Sequence, residues 1–244
     1  MRNKIRFETL AVGLTCVLLG IYWHQARVRP QAPVTQMPVA PVEPAPAPLA
    51  LEQGESLIRT KSAQLASHPK LVEWLQSEDF IRRFVAAVDV AAAGKSPRQS
   101  LAFWRPREKF SVVTKKGAIY LDTRSYARYD LAADAFQSVN AQAAAGILKD
   151  LQSVFQGAYE ELGYPNRKFK DTLLQAIQEL LKTPAVKGPL RLNAKVISYS
   201  LADKKLEALS PAQKHLLRMG PNNTVKIQEK LREIAQALES ADKR

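Results

Sequence analysis

The sequence predicts an α+β fold that is predominantly α-helical: one helical domain with a small antiparallel β element, preceded by an N-terminal membrane helix and a Pro-rich tether. Three observations lead there. Apolar residues recur at three- and four-residue spacing through most of 51–244, the signature of helices with one buried face. Only three short stretches read as strands. The first fifty residues are different again, an uncharged run followed by seven prolines between 30 and 48. The organisation expected is a signal anchor over 1–28, a linker over 29–50 and a folded domain over 51–244.

Composition sets outer limits. With 46% hydrophobic and 24% charged residues in 244, the chain can build a core and is not disordered throughout. One cysteine excludes a disulfide framework and a thiolate metal site, and three histidines exclude a His-rich cluster, so no metal or cofactor is expected. Residues 51–244 hold 31 basic and 21 acidic side chains, part of a chain net charge of +13. Such a surface attracts polyanions. The basic residues come in singles and pairs, such as Arg82-Arg83 and Lys204-Lys205, without the long run of a nucleic-acid arm.

At the amino terminus Thr9 to Trp23 carries no charge. As a helix these residues would span roughly 22 Å, and snorkelling Arg6 and Arg27 would stretch that towards a bilayer over 7–26. A cleaved signal peptide is the rival, but the ends at Ala26 and Ala32 put His24 and Pro30 where a small residue is needed. An uncleaved anchor is the expectation. Basic residues ahead of the span put the amino terminus in the cytoplasm, which places the body in the periplasm of a two-membrane bacterium, held to the inner membrane by a single pass. Pro30 to Pro48 should be an extended polyproline-type spacer.

In the body, Ser77 is expected to cap a helix carrying Phe80, Ile81, Phe84, Val85 and Val88 inward, with Gly94 ending it and Asp79 pairing with Arg83. Phe110–Val113 and Ala118–Leu121 flank Lys115-Lys116-Gly117 as a hairpin. Asn140 caps a long helix running to Leu162, which stops at Gly163-Tyr164-Pro165. A further helix holds Phe169, Leu173 and Ile177 inward, ahead of Pro184. Leu190–Tyr199 alternates as one strand. Ser210-Pro211 starts a short helix that Gly220-Pro221 breaks, and the last helix buries Ile227, Leu231, Ile234 and Leu238.

Four blocks then carry a resemblance: IRRFVAAVD over 81–89, YARYD over 126–130, AYEELGYP over 158–165 and LEALSPAQKHLLRMGP over 206–221. In order over about 70–240, they resemble the bacterial domain-of-unknown-function family numbered three thousand and fourteen. The charged head, single span and Pro-rich tether are similar to that family's usual layout. The resemblance implies an envelope protein of unassigned biochemistry and transfers no catalytic residue.

Motifs of catalysis are scarce. Gly94-Lys95-Ser96 resembles the end of a phosphate loop, but Asp89 stands where its first glycine belongs. Glu55-Ser56 lacks the companion motifs of a lytic transglycosylase, and no G-x-S-x-G occurs. Glu160-Glu161 points to different sides of one helix. His215 sits between Lys214 and Leu216, and the break at 220–223 does not suit a DNA-reading helix pair, so no nucleic acid is expected. The candidate ligand or partner residues are Tyr126, Arg128 and Tyr129, which would offer phenols and a guanidinium to an anion or sugar, with Lys214 and Arg218 on a short basic helix. Arg128→Ala is expected to abolish polymer binding with little change in melting. The function expected is a membrane-anchored, non-catalytic scaffold, adaptor or assembly factor for another envelope component, with an envelope protein as the expected partner. The alternative is a ligand-binding module for cell-wall glycan or anionic polymer, and a hydrolase stands third.

Overall fold

A computed structural model describes residues 50–243. Their helices are α1 (Leu51–Leu65), α2 (Pro69–Leu75), α3 (Phe80–Ala92), α4 (Arg124–Ala127), α5 (Asp130–Gln137), α6 (Ala141–Asp150), α7 (Gln152–Glu160), α8 (Phe169–Leu181), α9 (Lys204–Glu207), α10 (Pro211–Leu217) and α11 (Pro221–Asp242). Four strands, β1 (Val112–Lys115), β2 (Ala118–Leu121), β3 (Arg191–Ala194) and β4 (Tyr199–Leu201), form one antiparallel sheet in chain order. The architecture is mostly helical with a small sheet, the α+β class that periodicity predicts.

Two apolar clusters organise it. The larger joins α1–α3, α6–α8 and α11 around Ile81, Val85, Leu151 and Tyr159, all fully buried. Aromatic rings fill its middle: Phe84 packs edge-on against Phe155 and Phe169, which stack on each other. Gly54 lets α1 approach closely, since a Cβ there would lie 2.9 Å from Val154 and 3.3 Å from Ile81. The smaller cluster lies on the sheet and holds Leu121, Leu190, Leu192, Leu201 and Leu217.

Several local expectations need correction. Ser77 does not cap α3; its hydroxyl donates to the Trp74 carbonyl, and Asp79, in a left-handed conformation, precedes the helix. Asp79 then faces Arg82 at 3.7 Å, while Arg83 donates to the Glu78 carbonyl. The helix that Asn140 caps, through a 3.0 Å bond from the Ala143 N–H, breaks at Leu151 into α6 and α7. Leu151 has no exposed surface, so the break turns it into the core. The first hairpin is shifted by two residues on its leading strand, because Lys116 and Gly117, both with positive φ, form a two-residue turn pairing Lys115 with Ala118. Leu190–Tyr199 is a second hairpin rather than one strand. Lys195–Ser198 form its turn, and β3 joins β2 through Ile119↔Leu192.

The expected inner-membrane placement is also corrected: no helix among the described residues is long and apolar enough to cross a membrane. The longest, α11, is 22 residues and carries charge along its length, including Lys226, Glu229, Lys230 and Arg232. The expected span over 7–26 and the proline tether lie outside the described residues.

Candidate functional site

Three connecting segments converge where the sheet meets the helical body. The first follows α3, where Gly94 turns the chain with φ +69° and passes so close to Ser210 that a Cβ would lie 3.3 Å from the serine Cβ. The Gly94 carbonyl accepts from the Ala212 N–H at 3.0 Å, which ties this loop to the start of α10. Ser210 caps α10 in a reciprocal arrangement with Gln213. Two residues beyond Gly94, the Ser96 hydroxyl lies 2.6 Å from Nδ1 of His215 on that helix. Arg98 extends from the same loop.

The second segment links α4 to α5. Asn223 at the start of α11 holds it by donating to the Asp130 carboxylate at 2.8 Å and the Tyr126 carbonyl at 3.3 Å. Arg128 donates to the Glu108 carbonyl at 3.0 Å and the Ser125 carbonyl at 3.2 Å, and its guanidinium lies over the rings of Tyr129 and Phe110. Arg128 is therefore a brace as well as a charge, so Arg128→Ala should lower the melting temperature, contrary to the sequence expectation. Tyr129 meets the His215 ring edge-on at 6.1 Å.

The third segment is α10 with its end. Lys214 donates to the Glu207 carbonyl at 2.9 Å and faces its carboxylate at 3.4 Å, which joins α10 to α9. Glu207 also accepts from the Leu201 N–H, and that bond, more than the Lys214 charge, holds its carboxyl below the usual range. Arg218 follows at the helix end without an ion pair, as does Arg98, among the described residues.

These segments line one cavity of about 1090 Å³. It runs from buried core side chains such as Ile177 and Leu231 to exposed ones such as Arg105 and Phe110. Five cations belong to its lining, Arg98 and Arg105 exposed and Arg128, Lys214 and Arg218 half-buried, with Glu108 the one carboxylate of the lining and the Glu207 carboxylate just behind Lys214. Desolvation first, then the charges of Arg98 and Arg218, push the His215 pKa below its ordinary value, so the imidazole is neutral near pH 7.

Two stretches that the sequence offered separately thus meet: Arg128 and Tyr129 on one side, Lys214 and Arg218 on the other. Tyr126 is turned away into the sheet cluster. Its hydroxyl is buried with no hydrogen-bond partner among the described residues. Desolvation raises the phenol pKa, with the nearby Leu190 backbone acting in the opposite direction. Sequence reasoning weighed Ser96 and His215 and set them aside, and it did not single out Arg98 or Arg105. Ser96 and His215 are 119 positions apart, and no spacing rule joins them.

The family model described as protein of unknown function (DUF3014) matches residues 80–235. The chain belongs to that family. Its matched region covers all three segments and leaves α1 and α2 outside. No curated protein and no solved structure matches the chain.

Proposed function

We propose that the domain is a non-catalytic binding module for an anionic ligand, held at the cavity mouth by Arg98, Arg128 and Arg218 with Tyr129 alongside. One observation carries this: five cations and one carboxylate line the cavity, and among the described residues neither Arg98 nor Arg218 makes a salt bridge, the Glu207 carboxylate that feels Arg218 being bonded to Leu201 and Lys214. Free guanidinium groups on a partly enclosed surface suit bidentate contact with phosphate or carboxylate. Lys214 is committed to Glu207 and holds the frame, while Arg128 both braces its segment and lends its charge. The test is binding of fluorescent inorganic polyphosphate to the full-length chain. Arg98→Glu with Arg218→Glu should weaken it more than tenfold with melting unchanged, and wild-type binding should fall steeply with added salt. Binding indifferent to both changes would refute the reading.

One observation favours a protein-adaptor role beside this. Val196 and Ile197 at the β3–β4 turn are 101% and 96% exposed, two adjacent apolar side chains whose burial by a partner would be favourable. Crosslinking in cells should recover a stoichiometric protein partner that Val196→Ser with Ile197→Ser loses.

A further inference from the structure

We propose that the ligand is an anionic amphiphile whose single long alkyl or acyl tail enters the cavity while its phosphate or carboxylate head stays at the basic mouth. This rests on the reading above and adds the tail. Small-molecule sites usually occupy about 300–1000 Å³, and this cavity, at about 1090 Å³, is slightly larger. Its depth is set by hydrocarbon: Leu71, Phe84, Val88, Ile147, Ile177 and Leu231 line it. A water-soluble polyanion has no use for such walls. A purely apolar guest would have none for the mouth, where four arginines and a lysine face one glutamate. Only a molecule with both parts matches both ends.

Trp74 supplies an independent observation. It is 8% exposed and lines the same cavity, and its indole N–H meets no acceptor among the described residues. Buried donors are nearly always satisfied. Trp74 packs edge-on against Trp104, the residue before Arg105, so the orphan donor belongs to the wall leading to the mouth. The oxygen of a head group or ester would supply its acceptor. A hydrocarbon alone would not.

The experiment titrates the full-length chain by calorimetry with octyl, decyl and dodecyl phosphate below their micellar concentrations, beside polyphosphate as the tailless anion. Each methylene buried should tighten binding roughly three- to fourfold, so dodecyl phosphate should bind roughly 80- to 250-fold tighter than octyl phosphate, at one site per chain. Arg98→Glu with Arg218→Glu should weaken dodecyl phosphate at least tenfold. Ala144→Phe, which fills the cavity wall, should weaken it while sparing polyphosphate. The tail-length series needs no variant and decides the matter even if Ala144→Phe does not fold.

Affinity independent of tail length, with polyphosphate still bound through Arg98 and Arg218, would overturn this proposal and leave the anion-binding reading standing. Loss of polyphosphate binding as well would remove both. Equal binding of dodecyltrimethylammonium would show adsorption to apolar surface and overturn the assignment of the head.

Discussion

Gly220 is where the candidate site is most exposed to a single methyl group. Its backbone has φ +91° and ψ 160°, a region open in practice only to glycine and costing other residues roughly 1–3 kcal/mol. A Cβ there would also lie 2.6 Å from Cγ and 2.8 Å from Cβ of Tyr126. Those atoms are the root of the side chain, so no rotation relieves the overlap, and overpacking of this kind costs roughly another 1–3 kcal/mol. Gly220→Ala should therefore lose about 4 kcal/mol, and for a domain this size the melting temperature should fall by roughly 8–16 °C. Gly117→Ala is the control. It has a similar φ, +73°, in the first hairpin turn, but nothing lies within 4 Å of the added Cβ. It should lose only about 1–2 kcal/mol for the left-handed conformation. Urea and thermal unfolding of the two variants measure the difference. Equal losses would mean that Tyr126 does not pack against the turn into α11, and the placement of the Arg128 segment would fall with it.

Three further outcomes follow from other parts of the molecule. Ile81→Ala, at a side chain with no exposed surface between α1 and α7, should cost about 2–5 kcal/mol in urea unfolding. Asn140→Ala removes the cap on α6 and should cost about 0.5–2 kcal/mol by the same measurement. His215 gives a pH dependence with a definite sign: its folded-state pKa lies below the ordinary 6.5, so the unfolded chain binds the proton first. The stability tied to the neutral imidazole is full above pH 6.5 and is lost as pH falls through the folded value. In His215→Gln that acid slope should flatten, and an unchanged slope would assign it to other groups.

What the sequence discloses depends on how each helix makes its inner face. In α3 and α8 that face is Phe, Ile, Val and Leu at helical spacing, and the periodicity is plain. In α1 it is Gly54, Ile58, Ser62 and Leu65, only half of it large and apolar, so the pattern hides a buried helix. In α5 the buried positions are Ala133 and Ala135, equally quiet. The break at Leu151 is invisible for a different reason. Leucine favours helix, and only the packing of α6 and α7 on different neighbours interrupts it. Turns with glycine at positive φ, at 94, 117 and 220, were legible because the residue type and the conformation go together. The site was legible in pieces: Arg128, Tyr129, Lys214 and Arg218 stand out as charge and aromatic content, but their meeting depends on the Gly94–Ala212 and Asn223–Asp130 bonds, which no local rule supplies.

The place where those pieces meet is also a joint between the two apolar clusters. Tyr126 and Leu217 belong to the sheet cluster, while Ile227 and Leu231, on the following helix α11, belong to the helical one. Segments bridging two cores cannot bury their whole length, so their polar residues are left at the seam, and a seam between separately packed clusters is where space for a guest arises. The charges are therefore on the connections and the hydrocarbon is on the helices. Reversing Arg98 and Arg218 should change binding without touching either core, because neither residue belongs to one. A change in the apolar wall, such as Ala144→Phe at the side of the helical cluster, should act on the tail alone. If the two kinds of change affected polyphosphate and dodecyl phosphate identically, mouth and depth would not be separate parts of one site.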